Sequence, residues 1–187
     1  MNSAPDKKPQ AVLFALRERL ADTRLYGRPK LARELDRLFG RKVAGPDFER
    51  ATQHLSEAIE RSAAHVERLR EQQLKLEFDM ALPISAHRDE IIRAIQTNKL
   101  TVSCGATGSG KTTQLPKMCI AAGRGTFGMI GHTQPRRIAA RAIAQRLAQE
   151  HGIEVGAAGG FQVRFNERSG PDTRVKLMTD GILLREL

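Results

Sequence analysis

Gly105 to Thr112 read Gly-Ala-Thr-Gly-Ser-Gly-Lys-Thr, a complete match to the spacing G-x-x-x-x-G-K-[ST]. In that spacing the glycines let successive backbone N–H groups turn inward and cradle a polyphosphate. The lysine reaches the β- and γ-phosphates, and the terminal hydroxyl ligates Mg²⁺. Gly105, Ala106, Thr107, Gly108, Ser109, Gly110, Lys111, Thr112 and the adjoining Thr113 are therefore the candidate nucleotide-binding residues. Lys111 and Thr112 stand nearest the chemistry, with Thr112 the expected Mg²⁺ ligand, and a nucleoside triphosphate such as ATP is the expected cofactor.

Such a loop works only when a strand feeds it and a helix follows, so that the positive end of the helix dipole meets the phosphates. Leu100 to Cys104 is a short apolar, β-branched run that predicts a buried strand. Gly110 to Ala122 predicts a helix stopped by Gly123. Beyond it strands and helices alternate: a strand at Met129–Thr133, a helix from Pro135 to about His151 closed by Gly152, strands at Gly160–Phe165 and Arg174–Met178, and a helix opening after Asp180. A helix from about Ala86 to Thr97 precedes them. This alternation predicts an α/β core, a parallel sheet covered by helices on both faces.

Two further clusters fall at strand ends, where open α/β sheets bind ligands. Thr133-Gln-Pro-Arg-Arg137 places two arginines at a helix mouth, with Pro135 as a natural first helical residue and Thr133 or Gln134 as cap. Cations there oppose the helix dipole, which points to an anionic partner. Met178-Thr-Asp-Gly181 repeats the arrangement, with Thr179 and Asp180 able to cap and Gly181 permitting close backbone approach.

The net charge is +10, and it is uneven: residues 1–85 carry 16 basic and 13 acidic side chains, whereas residues 86–187 carry 15 and 8. Excess positive charge beside a nucleotide loop points to nucleic acid. With one Tyr, no Trp and seven Phe, an aromatic stacking platform is not expected, so contacts run through the sugar-phosphate backbone. The five histidines lack metal-ligand spacing, and Cys104 and Cys119 read as packed thiols in a reducing cytosol. No apolar stretch is long enough to span a membrane and the start lacks a signal-peptide core, so a cytoplasmic protein is expected.

The first 80 residues read as helices without chemistry. Leu13, Leu16 and Leu20 form one stripe, and Leu31, Leu35 and Leu38 another that ends at Gly40, with a break at Gly27-Arg-Pro29. A third segment opens near Pro46 and carries Phe48, Leu55, Ile59, Val66 and Leu69 at helical spacing. The composition changes near Pro83, which places a boundary between a helical region, 1–80, and the nucleotide-binding region, 81–187.

The words GATGSGKTTQLP, GHTQPRRIAAR, GFQVRF and VKLMTDGILLREL, in that order between Leu82 and Leu187, resemble those of the DEAH-box RNA helicases, most closely the bacterial HrpA type. The resemblance implies a partial RecA-like P-loop NTPase core preceded by a helical extension. It implies NTP-driven movement on RNA, 3′ to 5′. Arg146, in Ile143-Ala-Gln-Arg146-Leu, matches the family position that stacks on the nucleotide base, and Arg136, Arg137 and Thr179 match positions that touch the RNA backbone. Read from the residues alone, Arg146 is a charged residue on an amphipathic helix. Ala106 stands where the family has glutamate, which implies tuning rather than loss. No Asp-Glu-Ala-His segment is present, so the chain reads as an N-terminal fragment that binds nucleotide and RNA weakly and hydrolyses essentially nothing. The other readings are a nucleotide-binding RNA adaptor without hydrolysis and a small-molecule kinase, and the kinase lacks its lid and acceptor pocket. The N-terminal helices are a possible surface for a protein partner.

Overall fold

A computed structural model of the chain describes residues 7–40, 45–72, 74–151, 159–163 and 166–186. They belong to two compact units that divide between Gln72 and Gln73. The first carries α1 (Lys7–Arg19), α2 (Arg28–Gly40) and α3 (Pro46–Glu71). Leucines at helical spacing turn inward: Leu13, Leu16, Leu20, Leu35, Leu38, Phe48, Leu55 and Ile59 form one buried cluster. Pro46 is the first residue of α3, where its missing N–H costs nothing.

The second unit holds α4 (Arg88–Thr97), α5 (Lys111–Ala121), β1 (Ile130–Thr133), α6 (Arg137–His151), β2 (Gly159–Val163), β3 (Asn166–Arg168), β4 (Val175–Met178) and α7 (Asp180–Glu186). The strands form one sheet in the order β1-β4-β2-β3. β4 pairs in parallel with β1 and β2, while β3 returns antiparallel to β2. Buried on every residue, β4 is the spine of the sheet. α6 lays Ala140, Ala144 and Leu147 against Phe161, Val175 and Leu177, and the two alanines let the helix approach closely. Lys176 sits within β4 because Glu186 and Glu167 pair with it at 2.5 and 3.5 Å.

This is an α/β fold with a mixed four-stranded sheet flanked by helices, compatible with a partial RecA-like core. The expectation of a purely parallel sheet is corrected by β3. Val163 pairs with Asn166 and Phe161 with Arg168, so Asn166–Arg168, which follows the expected strand at Gly160–Phe165 and is not itself expected to be one, adds an antiparallel edge. Arg164 and Phe165 of the expected strand, and Gly152, lie outside the described residues.

A second correction concerns Leu100–Cys104. The run forms no ladder with a described strand and lies exposed, with Leu100 at 82% and Val102 at 80%. β-propensity describes a fit to a pleated, half-buried surface, and without a neighbouring strand to take its N–H and C=O groups the run stays irregular. Cys104 is accordingly exposed rather than packed. Cys119 is partly buried, which raises its thiol pKa against the opposing pull of Arg124.

Candidate functional site

The phosphate loop is built by glycine and braced from outside. Gly108 and Gly110 have φ of 83° and 93°, in the left-handed region that other residues enter at a cost. Gly110 is also the residue before α5, and its carbonyl oxygen accepts the Gln114 N–H at 2.9 Å. No side chain caps this helix end and no acidic residue lies in its first turn, so its leading N–H groups are open to an anion. From the other side, the Ile84 N–H donates to the Ser109 carbonyl oxygen at 3.1 Å. The turn that presents Ile84 is itself pinned: the Ser85 hydroxyl donates to the Asp79 carbonyl oxygen at 2.6 Å.

A methyl group at Gly110 would meet Leu82 Cδ1 at 2.8 Å and Leu82 Cβ at 3.0 Å. Left-handed backbone alone costs a non-glycine residue about 1–2 kcal/mol. Gly110→Ala is therefore expected to lower the melting temperature and, by pushing Leu82 off the loop, to weaken triphosphate binding. Thermal melts and nucleotide titration of the variant check both effects.

Lys111 is folded over the loop. Its ammonium donates to the carbonyl oxygens of Gly105 (2.5 Å) and Ala106 (2.8 Å) and to Ser109 Oγ (3.1 Å). A Cβ at Gly105 would lie 3.4 Å from Lys111 Nζ and 3.2 Å from Ser109 Oγ, so glycine there leaves room for the ammonium. Thr107 to Thr113 wall a cleft of about 410 Å³ that Leu82 and Arg146 complete. A larger cleft of about 660 Å³ is lined by α4, by the exposed run that follows it and by the loop from Gly105 to Ser109. The smaller cleft is the better candidate phosphate site, because Thr112, Thr113 and Arg146 line it and the larger one lacks them.

The fold thus brings Arg146, on α6, to the rim of the loop cleft. Its Nε donates to Glu150 Oε1 at 2.9 Å. Glu150 is also ion-paired with Lys117, a buried side chain of α5 that donates to the Glu77 carbonyl oxygen at 2.8 Å. Burial pushes the Glu150 carboxyl up, but hydrogen bonds from Lys117 and Arg146 outweigh it and hold the carboxyl below its ordinary range. Sequence reading missed Lys117 and Glu150. The spacing of Arg146 and Glu150 on one helix was a visible signal, whereas the partner across the helix interface was not.

The segments that carry the arginine pair and Thr179 leave the carboxyl ends of β1 and β4. Thr133 is level with Met178, and the Gln134 N–H donates to the Met178 carbonyl oxygen at 2.8 Å, which sets the two strand mouths side by side. Here the sequence expectation is corrected. α6 begins at Arg137 rather than Pro135, so the residue directly before it is Arg136 and not Thr133 or Gln134. Gln134 extends the ladder instead, and its side chain meets His132 Nε2 at 2.8 Å. Burial lowers the pKa of His132, which favours the neutral ring. Arg136 and Arg137 are exposed, with no acidic residue in the first turn of α6. Thr179 sits at the start of α7, where its carbonyl oxygen accepts the Ile182 N–H at 2.9 Å. The phosphate loop enters this unit through α5, not through a strand of the sheet.

Among the described residues no group of His, Cys, Asp and Glu could hold a metal ion, and no helix is long and apolar enough to cross a membrane.

No family model matches the chain. It is 42% identical over 174 residues to the ATP-dependent RNA helicase HrpA of Escherichia coli (strain K12), covering 92% of the chain and 13% of that protein. To the HrpA homolog of Haemophilus influenzae it is 48% identical over 134 residues, 71% of the chain and 10% of the relative. A human protein, probable ATP-dependent RNA helicase DHX40, is 49% identical over 105 residues, 56% of the chain and 14% of its own length. The chain therefore spans a small part of the length of the curated relatives it matches. With the glycine loop and the two strand-end clusters in their places, the chain belongs to the HrpA-type group of the DEAH-box helicase family.

Proposed function

We propose that this chain is the N-terminal portion of a cytoplasmic, ATP-dependent RNA helicase, in which it binds the nucleotide and one face of the RNA. The observation that carries the reading is the cleft at the start of α5, where uncapped helix N–H groups, Lys111 and Arg146 converge. A triphosphate entering it takes the loop amides, and Lys111 exchanges the carbonyls of Gly105 and Ala106 for phosphate oxygens. Lys111, Thr112 and the loop from Gly105 to Thr113 are the proposed nucleotide contacts, with Arg146 against the base.

Thr112, on the first turn of α5, lines the same cleft, which fits a hydroxyl that supplies one oxygen ligand to Mg²⁺. Bound there, Mg²⁺ would offset charge on the phosphates. The carboxylates that orient an attacking water belong to an Asp-Glu-Ala-His segment that these 187 residues do not contain. The purified chain is accordingly proposed to bind nucleotide without turning it over, and movement 3′ to 5′ is assigned to the whole enzyme. Exposed Phe14, stacked edge-on against Phe39 at 5.3 Å, supports a protein-docking role for the N-terminal helices.

RNA is proposed to run across the mouths of β1 and β4, with Arg136, Arg137 and Thr179 on its backbone. Salt tests this. Replacing both arginines with alanine should weaken single-stranded RNA binding about equally for unrelated sequences. It should also flatten the plot of log affinity against log salt by about 1.4, since each lost phosphate contact on a single strand is worth about 0.7. Loss confined to particular RNA sequences would mean that the arginines read bases, and the backbone reading would fail.

A further inference from the structure

We propose that Glu150 is a positioning residue for nucleoside recognition: backed by the buried ammonium of Lys117, it fixes the Arg146 guanidinium at the rim of the phosphate-loop cleft. The inference rests on the reading of that cleft as the triphosphate site. Arg146 is 58% exposed, and a solvated arginine paired with a glutamate one turn away on its own helix is held weakly. Glu150 is different from such a partner. Its side chain is 25% exposed, and its second oxygen is ion-paired with Lys117, whose side chain is 3% exposed. Lys117 in turn donates to the Glu77 carbonyl oxygen at 2.8 Å, so the carboxylate cannot rotate away without stranding a buried cation.

The geometry has two consequences. First, Lys111 and Lys117 lie on the same helix, α5, so the clamp ties the orientation of Arg146 to the element that carries the phosphate contacts. The two ends of a nucleotide are thereby gripped by parts held in fixed relation. Second, Glu150 engages Arg146 through Nε, and a guanidinium held by one edge keeps its planar face for an aromatic ring. Thus Lys117 and Glu150 touch no ligand, and their contribution falls on the nucleoside rather than on the phosphates.

Affinities of the 187-residue chain for ATP and for inorganic tripolyphosphate, both with Mg²⁺, separate the two halves of the ligand. Glu150→Gln is expected to weaken ATP by about three- to fivefold, the range of a cation–π contact, and to leave tripolyphosphate within about twofold. Arg146→Ala should give the same selective loss, and the double variant should lose no more than either alone. In the free chain, the Arg146 Nε–Hε resonance should be dispersed and slow to exchange, and Glu150→Gln should collapse it. If Glu150→Gln folds poorly, Glu150→Gln with Lys117→Met removes the stranded charge and should show the same selective loss of ATP.

Loss of ATP affinity in Arg146→Ala but not in either Glu150 variant would overturn the positioning role and leave the triphosphate site standing. An equal fall of ATP and tripolyphosphate in both Glu150 variants would make Glu150 merely structural and would also overturn it. An unchanged ratio in Arg146→Ala, or no ATP binding by the parent chain, would overturn this inference together with the reading on which it rests.

Discussion

Lys111→Ala should cut the affinity of the chain for a nucleoside triphosphate by about 10- to 100-fold, the worth of one hydrogen bond from a charged donor to phosphate. The net figure already allows for exchange. In the free loop the ammonium is bound to the carbonyl oxygens of Gly105 and Ala106 and to Ser109 Oγ, and those bonds are surrendered when phosphate arrives. Stability should hardly respond, because Gly105 and Ala106 are exposed and water can take over their carbonyls. Binding lost while the melting temperature is retained is thus the expected pattern, read by titration calorimetry and thermal melts on the same sample. A variant that still binds within about threefold of the parent would take the ammonium out of the phosphate site.

The second large effect lies in the clamp behind Arg146. Among the described residues, Glu150→Ala leaves the buried Lys117 ammonium with only the Glu77 carbonyl oxygen as a partner. Removing one partner of a buried ion pair costs about 3–5 kcal/mol, whereas replacing both with apolar or neutral groups of similar shape is often nearly neutral. The single variant should therefore melt well below the parent, and Glu150→Gln combined with Lys117→Met should recover most of the loss.

The pair also sets an acid limb. The Glu150 carboxyl has a depressed pKa in the folded chain, so the stability it contributes is fully present above its unfolded value of about 4.3. That stability is lost as pH falls through the lower folded value. Urea unfolding between pH 3 and 6 should show a steeper acid loss in the parent than in the neutral double variant. Parallel profiles would show that the carboxylate gains nothing from its two cations.

How much of this could be read along the chain depended on how far apart the cooperating residues lie. The glycine loop and the helix it opens were legible because the glycines, the lysine and the start of α5 are contiguous, and left-handed φ at Gly108 and Gly110 is a local demand. The leucine stripes of α1, α2 and α3 were legible for the same reason, since helical hydrogen bonds join near neighbours. The strands β1 and β4 appeared within a residue of their expected limits, as apolar runs bounded by turns.

Strand pairing was another matter. Leu100–Cys104 has the composition of a strand and β3 does not, yet Asn166–Arg168 pairs while the apolar run remains exposed. Pairing is decided by which edge is within reach, and composition does not encode reach. Pro135 likewise has the right chemistry to open a helix. The ladder bond from Gln134 to Met178 holds the chain in the sheet, so α6 starts later.

The amino-acid sequence by itself determined that a glycine loop ending in Gly-Lys-Thr opens a helix, and that basic residues cluster at strand ends in an α/β alternation, because each depends on residues a few positions apart. Only the tertiary structure decided that Arg146 rims the loop cleft, that Lys117 of α5 neutralises Glu150 of α6, and that Thr179 lies beside the turn leading to Arg136. Those meetings join residues distant in sequence, and packing and ladder register, rather than local propensity, set which of them occur.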